Sequence, residues 1–128
     1  MSVFTKIINR EIPAHIVAEN TKFIAFLDVN PNAKGHTLCV PKQEIDKIFD
    51  LEKNHFLELM SFSYDVAKAI EKSIICKRVG VSVVGLEVAH VHVHLIPLND
   101  ITDITFQQKV SLSQEEFSEI SKKIKLNF

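Results

Sequence analysis

The chain has 128 residues, of which 46% are hydrophobic and 24% charged, a length and mixture that suit one hydrophobic core and exclude a largely disordered chain. Fifteen Lys and Arg stand against sixteen Asp and Glu, a formal charge of -1, and no basic cluster provides the footprint of a nucleic-acid backbone. The start MSVFTKIINREIPA has no signal-peptide core and no apolar run reaches membrane-spanning length, so the expectation is a cytoplasmic protein with neither nucleic-acid nor membrane partners.

No linker or repeat divides the chain, which predicts a single domain over residues 1–128. His15 to Asn20 and Lys22 to Asp28 are short β-branched and aromatic runs around the polar Glu19-Asn20-Thr21, a pattern that predicts a hairpin. Val29 to Gly35, with Asn30-Pro31-Asn32, reads as a turn-rich loop leading to a third strand, His36 to Val40, closed by Pro41. Asp50 is a plausible N-cap for a long helix whose apolar stripe includes Phe56, Leu59, Met60, Ala67, Ile70 and Ile74. Val79 to Val84 and Val91 to Ile96 read as two more strands, bounded by Gly85 and Pro97 respectively. Ser113 with Glu116 matches a capping box that opens a short C-terminal helix with Phe117, Ile120 and Ile124 on its apolar side. Strands on either side of one dominant helix, without regular βαβ alternation, predict an α+β fold with a mostly antiparallel sheet. Cys39 and Cys76 lack CxxC spacing and read as reduced residues without chemistry.

The chemistry concentrates in His90-Val91-His92-Val93-His94-Leu95-Ile96. A strand's side chains alternate, so three imidazoles emerge on one face while Val91, Val93 and Leu95 anchor the other. Such a row suits two chemistries. Neutral imidazoles ligate zinc or another transition metal; alternatively, one attacks an electrophile while its neighbours hold anionic oxygens.

HVHVHLIP resembles the His-φ-His-φ-His-φφ signature of the histidine-triad (HIT) superfamily, where φ is apolar. FTKIINREIPAHIVAEN, FIAFLDVNPNAKGHTLCVPK and Gly85 resemble further blocks of that family in the right order, so the likeness covers most of residues 3 to 98. The overall look is nearest the Hint branch and its bacterial relatives. The resemblance implies the HIT fold, a mostly antiparallel sheet of about five strands with a long helix and a short C-terminal helix, and commonly a homodimer. It implies a metal-independent nucleotide hydrolase or transferase without cofactor. His92 would attack the α-phosphorus, with His90 and His94 orienting the site, holding phosphate oxygens and protonating the leaving group. His36 would complete the phosphate environment. Asp28 would accept hydrogen bonds from the ribose hydroxyls, and Phe4, Ile7, Phe26 and Val29, with Val3 and Ile12 as further candidates, would form an apolar slot for a purine.

Three departures from the family's pattern stand out. Where many bacterial relatives carry the ligands of a structural zinc, this chain has Ser2, Thr5 and Glu44, so no structural zinc is expected. Leu86 and Glu87 follow Gly85 where eukaryotic Hint proteins have Gln and Ser, replacing a phosphate-contacting hydroxyl with a carboxylate. Glu87 either repels phosphate, attracts a cationic leaving amine, or is an exposed structural residue. The segment before Gly85 is short and has no equivalent of the Asn-containing loop of those relatives. His15 and His55 lie outside the signature and are expected on the hairpin or surface, while Lys34 and Lys42 flank the site in sequence and would add positive potential.

The resemblance favours hydrolysis of purine nucleoside 5′-phosphoramidates, the P–N compounds of AMP with amines. Dinucleoside polyphosphate hydrolysis, as in the Fhit branch, uses the same residues. A nucleotide-binding regulatory module and a metal-binding protein are the readings from other classes.

Overall fold

The computed structural model describes residues 1–128. β1 (Ile16–Glu19), β2 (Phe23–Leu27), β3 (Thr37–Pro41), β4 (Arg78–Ser82) and β5 (Val93–Leu98) form one antiparallel sheet in the order β1-β2-β3-β5-β4. Three helices accompany it: α1 (Val3–Ile8), the long α2 (Lys53–Ser73) and the C-terminal α3 (Gln114–Asn127). This is the α+β architecture expected from strands on either side of one dominant helix. No helix is long and apolar enough to cross a membrane.

The period of two along each strand sorts side chains onto two unequal faces. Phe23, Ala25 and Leu27 of β2, Cys39 of β3, and Val93 and Leu95 of β5 join Leu59, Phe62, Val66 and Ile70 of α2 and Phe117, Ile120 and Ile124 of α3 in a core of 18 buried residues. The intervening Ile24, Phe26, Leu38 and Val40 lie with Phe4 and Ile7 of α1 in a separate cluster of six. Burying each large aliphatic side chain contributes roughly 1.5–3 kcal/mol, so the face under α2 and α3 carries most of the stability. The face under α1 is thinner, with six buried residues.

Several boundaries differ from the sequence expectation. Asp50 does not cap the long helix: it ends a 3-10 turn, Ile48–Asp50, after which Leu51 turns inward at 7% exposure and Glu52 becomes the N-cap. Burial of Leu51 thus breaks what reads as one continuous helical stripe. β4 stops at Ser82, and Val83 and Val84 continue outside the ladder. The triad strand begins at Val93 rather than Val91 and runs through Pro97 to Leu98. Proline is tolerated there because the β3 pairing ends at Thr37 opposite Leu95, so beyond that point only β4 is alongside. The sequence expectation has no helix over Val3–Ile8, where α1 forms. Its signal is an N-cap, Ser2, whose hydroxyl accepts from the Thr5 amide at 3.1 Å, followed by apolar residues at helical spacing. α3 opens on the expected capping box, with Ser113 and Glu116 exchanging bonds of 3.0 and 3.1 Å.

Candidate active site

His94 on β5 lies directly opposite Leu38 on β3, and so shares the α1 face of the sheet. His36 reaches the same face from the residue before β3. A tight loop delivers it: the Asp28 amide bonds the His36 carbonyl at 3.0 Å, and the His36 amide bonds the Ala33 carbonyl at 3.0 Å. Gly35 turns the chain at φ +95°, and a Cβ there would sit 2.9 Å from Ile74 Cγ1. Only glycine meets both the conformation and the close approach.

Hydrogen bonds assign a tautomer to each of the four imidazoles. The Asn32 amide donates to His36 Nδ1 at 3.0 Å, so neutral His36 carries its proton on Nε2 and donates it to His94 Nδ1, 2.9 Å away. His94 is thereby protonated on Nε2, which has no partner within the protein. Burial pushes His36 down to about 3 and His94 to about 4, so both are neutral near pH 7. The other pair is oriented by carbonyls, which only accept. His92 Nδ1–H donates to the His90 carbonyl at 2.7 Å, leaving the Nε2 lone pair of His92 unengaged. His90 Nε2–H donates to the Pro41 carbonyl at 2.8 Å, and its Nδ1 accepts from the Ser2 hydroxyl at 2.6 Å. Burial lowers the pKa of His90 as well. The row of three is therefore unequal: His92 presents a base, His94 presents a donor, and both ring nitrogens of His90 are spent inside the protein.

Asp28 sits at the other end of the same loop, with Oδ2 3.6 Å from His36 Nε2 and Oδ1 accepting from the Asn30 amide at 2.9 Å. Burial raises its pKa above the ordinary carboxylate value. Asp28, His36 and His94 are also the group whose ligand atoms cluster within 4.8 Å. A metal there would have to displace the His36–His94 hydrogen bond. The histidines of the HVHVH row itself do not converge on one point, because His90 is turned towards Pro41 and Ser2.

The apolar residues divide. Phe4 packs against Phe26 at 5.6 Å between ring centroids and stands edge-on to His92 at 5.0 Å. Ile7 is buried in the same cluster, with Ile12 partly buried beside it. Leu38, opposite His94 and buried in this group, was missed in the sequence, although the alternation of β3 carries the signal. Val3 and Val29 lie outside the cluster, 43% and 70% exposed. Gly85 has φ +74° with open space around it, so backbone conformation rather than crowding selects glycine there. Glu87 is exposed, makes no ion pair, and lies near enough to Asp28 to contribute to its raised pKa.

The flanking lysines are not at the site. Lys42 pairs with Glu19 at 2.8 Å, and Lys34 lines a cavity with Ile74 and Ile120 near α2 and α3. A different cation is present. Lys109 donates to Asn32 Oδ1 at 2.7 Å and lies 5.0 Å from the centroid of the Phe106 ring, which stands edge-on to His94 at 4.8 Å. Asn32 Nδ2 donates to the Asp103 carbonyl at 2.9 Å, so the buried Asn32 ties the segment after β5 to the histidine loop. No local pattern marks Asn32, Phe106 or Lys109 in the sequence. His15 stacks on Phe117 and bonds Gln114, and His55 packs on Phe23, both remote from the triad. Cys39 is buried in the main core, where desolvation pushes its thiol up to about 12.

The HIT domain family model matches residues 9–101. The chain is 41% identical over 107 residues to a HIT-like protein of Methanocaldococcus jannaschii, covering 76% of this chain and 78% of that one. It is 36% identical over 100 residues to the adenosine 5′-monophosphoramidase of Saccharomyces cerevisiae, across 77% of this chain and 63% of that protein. A crystal structure of a Hit-like protein from Bartonella henselae superposes with a TM-score of 0.86 at 28% identity, covering 99% of this chain and 96% of that one.

Proposed function

The chain belongs to the histidine-triad (HIT) family, and from that membership we propose that it hydrolyses purine nucleoside 5′-phosphoramidates through a nucleotidyl-His92 intermediate. The observation that carries the reading is the pair of bonds that leave His92 Nε2 as a bare lone pair beside the donor Nε2–H of His94. Attack by Nε2 on the α-phosphorus forms the P–N bond to His92 and breaks the P–N bond to the amine, which departs with a proton taken from solvent. Water then attacks phosphorus, giving the nucleoside monophosphate and freeing His92. Splitting one displacement into two lets a poor leaving group depart before water must be positioned.

His94 donates to the phosphoryl oxygens as their charge grows, and His36 holds His94 in the donating tautomer; both are pre-oriented and need no reorganisation during the step. Asp28 takes the ribose hydroxyls with the oxygen not engaged by Asn30. Phe4, Ile7 and Phe26, joined by Leu38, form the wall for the purine, with Val29 at its exposed rim. Gly85 and Glu87 flank the phosphate. The scheme requires no metal, and turnover is expected to survive a chelator.

The family also supports a homodimer. β4 is an edge strand of the sheet with Val81 54% exposed and Val83 and Val84 exposed beyond it, an edge that pairing with a second copy would cover. Light scattering tests that directly.

The experiment for the function is adduct trapping. Wild-type protein quenched during turnover of AMP-lysine is expected to carry AMP, and His92→Ala to carry none. Equal labelling of the two would overturn the reading. Parallel turnover of dinucleoside polyphosphates and nucleotide sugars identifies the preferred leaving group, and faster cleavage of a dinucleoside polyphosphate would replace the phosphoramidate with that substrate.

A further inference from the structure

The carbonyl that orients His92 belongs to His90, and His90 to His92 precede β5, outside the regular ladder. Strand pairing therefore does not hold this acceptor. What holds the segment is the Val91 amide on the Ile45 carbonyl at 2.8 Å and the two ends of the His90 ring, one on the Pro41 carbonyl and the other on the Ser2 hydroxyl. Ser2 is itself anchored from two sides. Its backbone amide donates to Glu44 Oε1 at 2.6 Å, and the same oxygen accepts from the Thr5 hydroxyl at 2.6 Å. These bonds pull the Glu44 carboxyl down to about 2 and keep it charged.

We propose that Ser2 is a positioning residue for the reaction, its hydroxyl gripping His90 Nδ1 so that the His90 carbonyl fixes the nucleophile's tautomer and α1 is seated against the triad. The direction of the bond follows from proton inventory. His90 Nε2 must hold the ring proton because Pro41 offers only a carbonyl, so Nδ1 is an acceptor and Ser2 must donate. Ser2 Oγ at the same time accepts the Thr5 amide as the cap of α1. One hydroxyl thus links helix start to histidine ring. The link has a second consequence, since Phe4, two residues along α1, touches His90 at 5.7 Å and His92 at 5.0 Å between centroids. Loosening Ser2 frees both the acceptor of His92 and the apolar wall beside it.

An N-cap and a positioning residue are distinguishable by substitution. Ser2→Gly removes the hydroxyl while glycine still serves as an N-cap; Ser2→Thr keeps the hydroxyl. The inference rests on the proposed role of His92, so the readouts include two that need no turnover: the ring-nitrogen tautomers of His90 and His92 by 15N NMR at neutral pH, and AMP affinity by calorimetry. In Ser2→Gly, His92 is expected to lose its exclusive Nδ1–H signature, AMP to bind severalfold more weakly, and kcat on AMP-lysine to fall about tenfold, the scale of a modest misplacement at a reacting centre. Ser2→Thr is expected to restore all three. Unchanged His92 tautomer and unchanged AMP affinity in Ser2→Gly would overturn the proposal, whatever happens to its melting temperature. If the wild type does not turn over AMP-lysine, the proposed function fails, while the tautomer and affinity measurements still decide the role of Ser2.

Discussion

His36 Nε2 and His94 Nδ1 lie 2.9 Å apart across the β3 and β5 pairing, two neutral, buried imidazoles joined by one proton. The Asn32 amide at the far side of His36 makes that proton's position unambiguous. The relationship turns a row of similar side chains into a directed chain, from a backbone amide through His36 to the outward Nε2–H of His94.

Acid is expected to destabilise the fold before carboxylates matter. Burial sets His36 at about 3 and His94 at about 4, both below the ordinary 6.5. Between pH 6.5 and those values the unfolded chain therefore binds protons that the native state refuses. Stability is whole above pH 6.5 and falls as the pH drops, by up to about 1.4 kcal/mol per pH unit for each such proton. Thermal unfolding from pH 7.5 to 4.5 measures this, and His36→Gln should flatten the slope. A melting temperature independent of pH in that window would contradict the assignment of the pair as neutral.

Gly35→Ala is expected to cost about 2–3 kcal/mol, because the new Cβ combines a positive φ with a contact of 2.9 Å to Ile74. Activity should suffer as well, since the same turn sets His36. Chemical denaturation and kcat/KM on one preparation check both. A variant as stable as wild type would show that the turn relaxes without strain.

Asn32→Ala removes the acceptor of Lys109 and the donor to the Asp103 carbonyl from a buried position. The expected loss is about 1–3 kcal/mol, the cost of unsatisfied buried partners. Amide exchange should quicken across residues 103 to 110, which include Phe106, edge-on to His94. Exchange unchanged in that segment would mean that Asn32 does not hold it.

Glu87 is expected to favour basic leaving groups, because its exposed carboxylate acts on Asp28, the proposed ribose ligand, and has no cation of its own. Glu87→Gln should lower the ratio of AMP-lysine to dinucleoside polyphosphate turnover severalfold, mainly through the amine substrate, as a lost charge-assisted contact would. An unchanged ratio makes Glu87 an ordinary surface residue.

Much of this protein is written in local order. The alternation of Val and His in residues 90 to 96, the capping box at Ser113 and Glu116, and the β-branched runs around Glu19-Asn20-Thr21 each report a backbone geometry that neighbouring residues enforce. That is why the strands, the last helix and the common face of the histidines are legible without coordinates. α1 and the true start of α2 are less so, since a six-residue helix carries few repeats and the break at Leu51 comes from a side chain seeking the core.

What fixes the outer two imidazoles of the triad is not local. His92 owes its tautomer to a carbonyl two residues away, but His90 is held by Ser2 and Pro41 and His94 by His36, partners 88, 49 and 58 positions distant. Asn32, Phe106 and Lys109 meet the site in the same way, across the fold. Periodicity along a chain reports which way a side chain faces; a hydrogen bond between distant segments depends on tenths of an ångström set by the packing of the whole sheet. The sequence alone therefore determined the family, the fold and the common face of the three histidines, with His92 named by resemblance as the attacking one. The tertiary structure decided the tautomers, and with them which ring nitrogens of His90, His92 and His94 are left free, because those of His90 and His94 depend on partners far away in the chain.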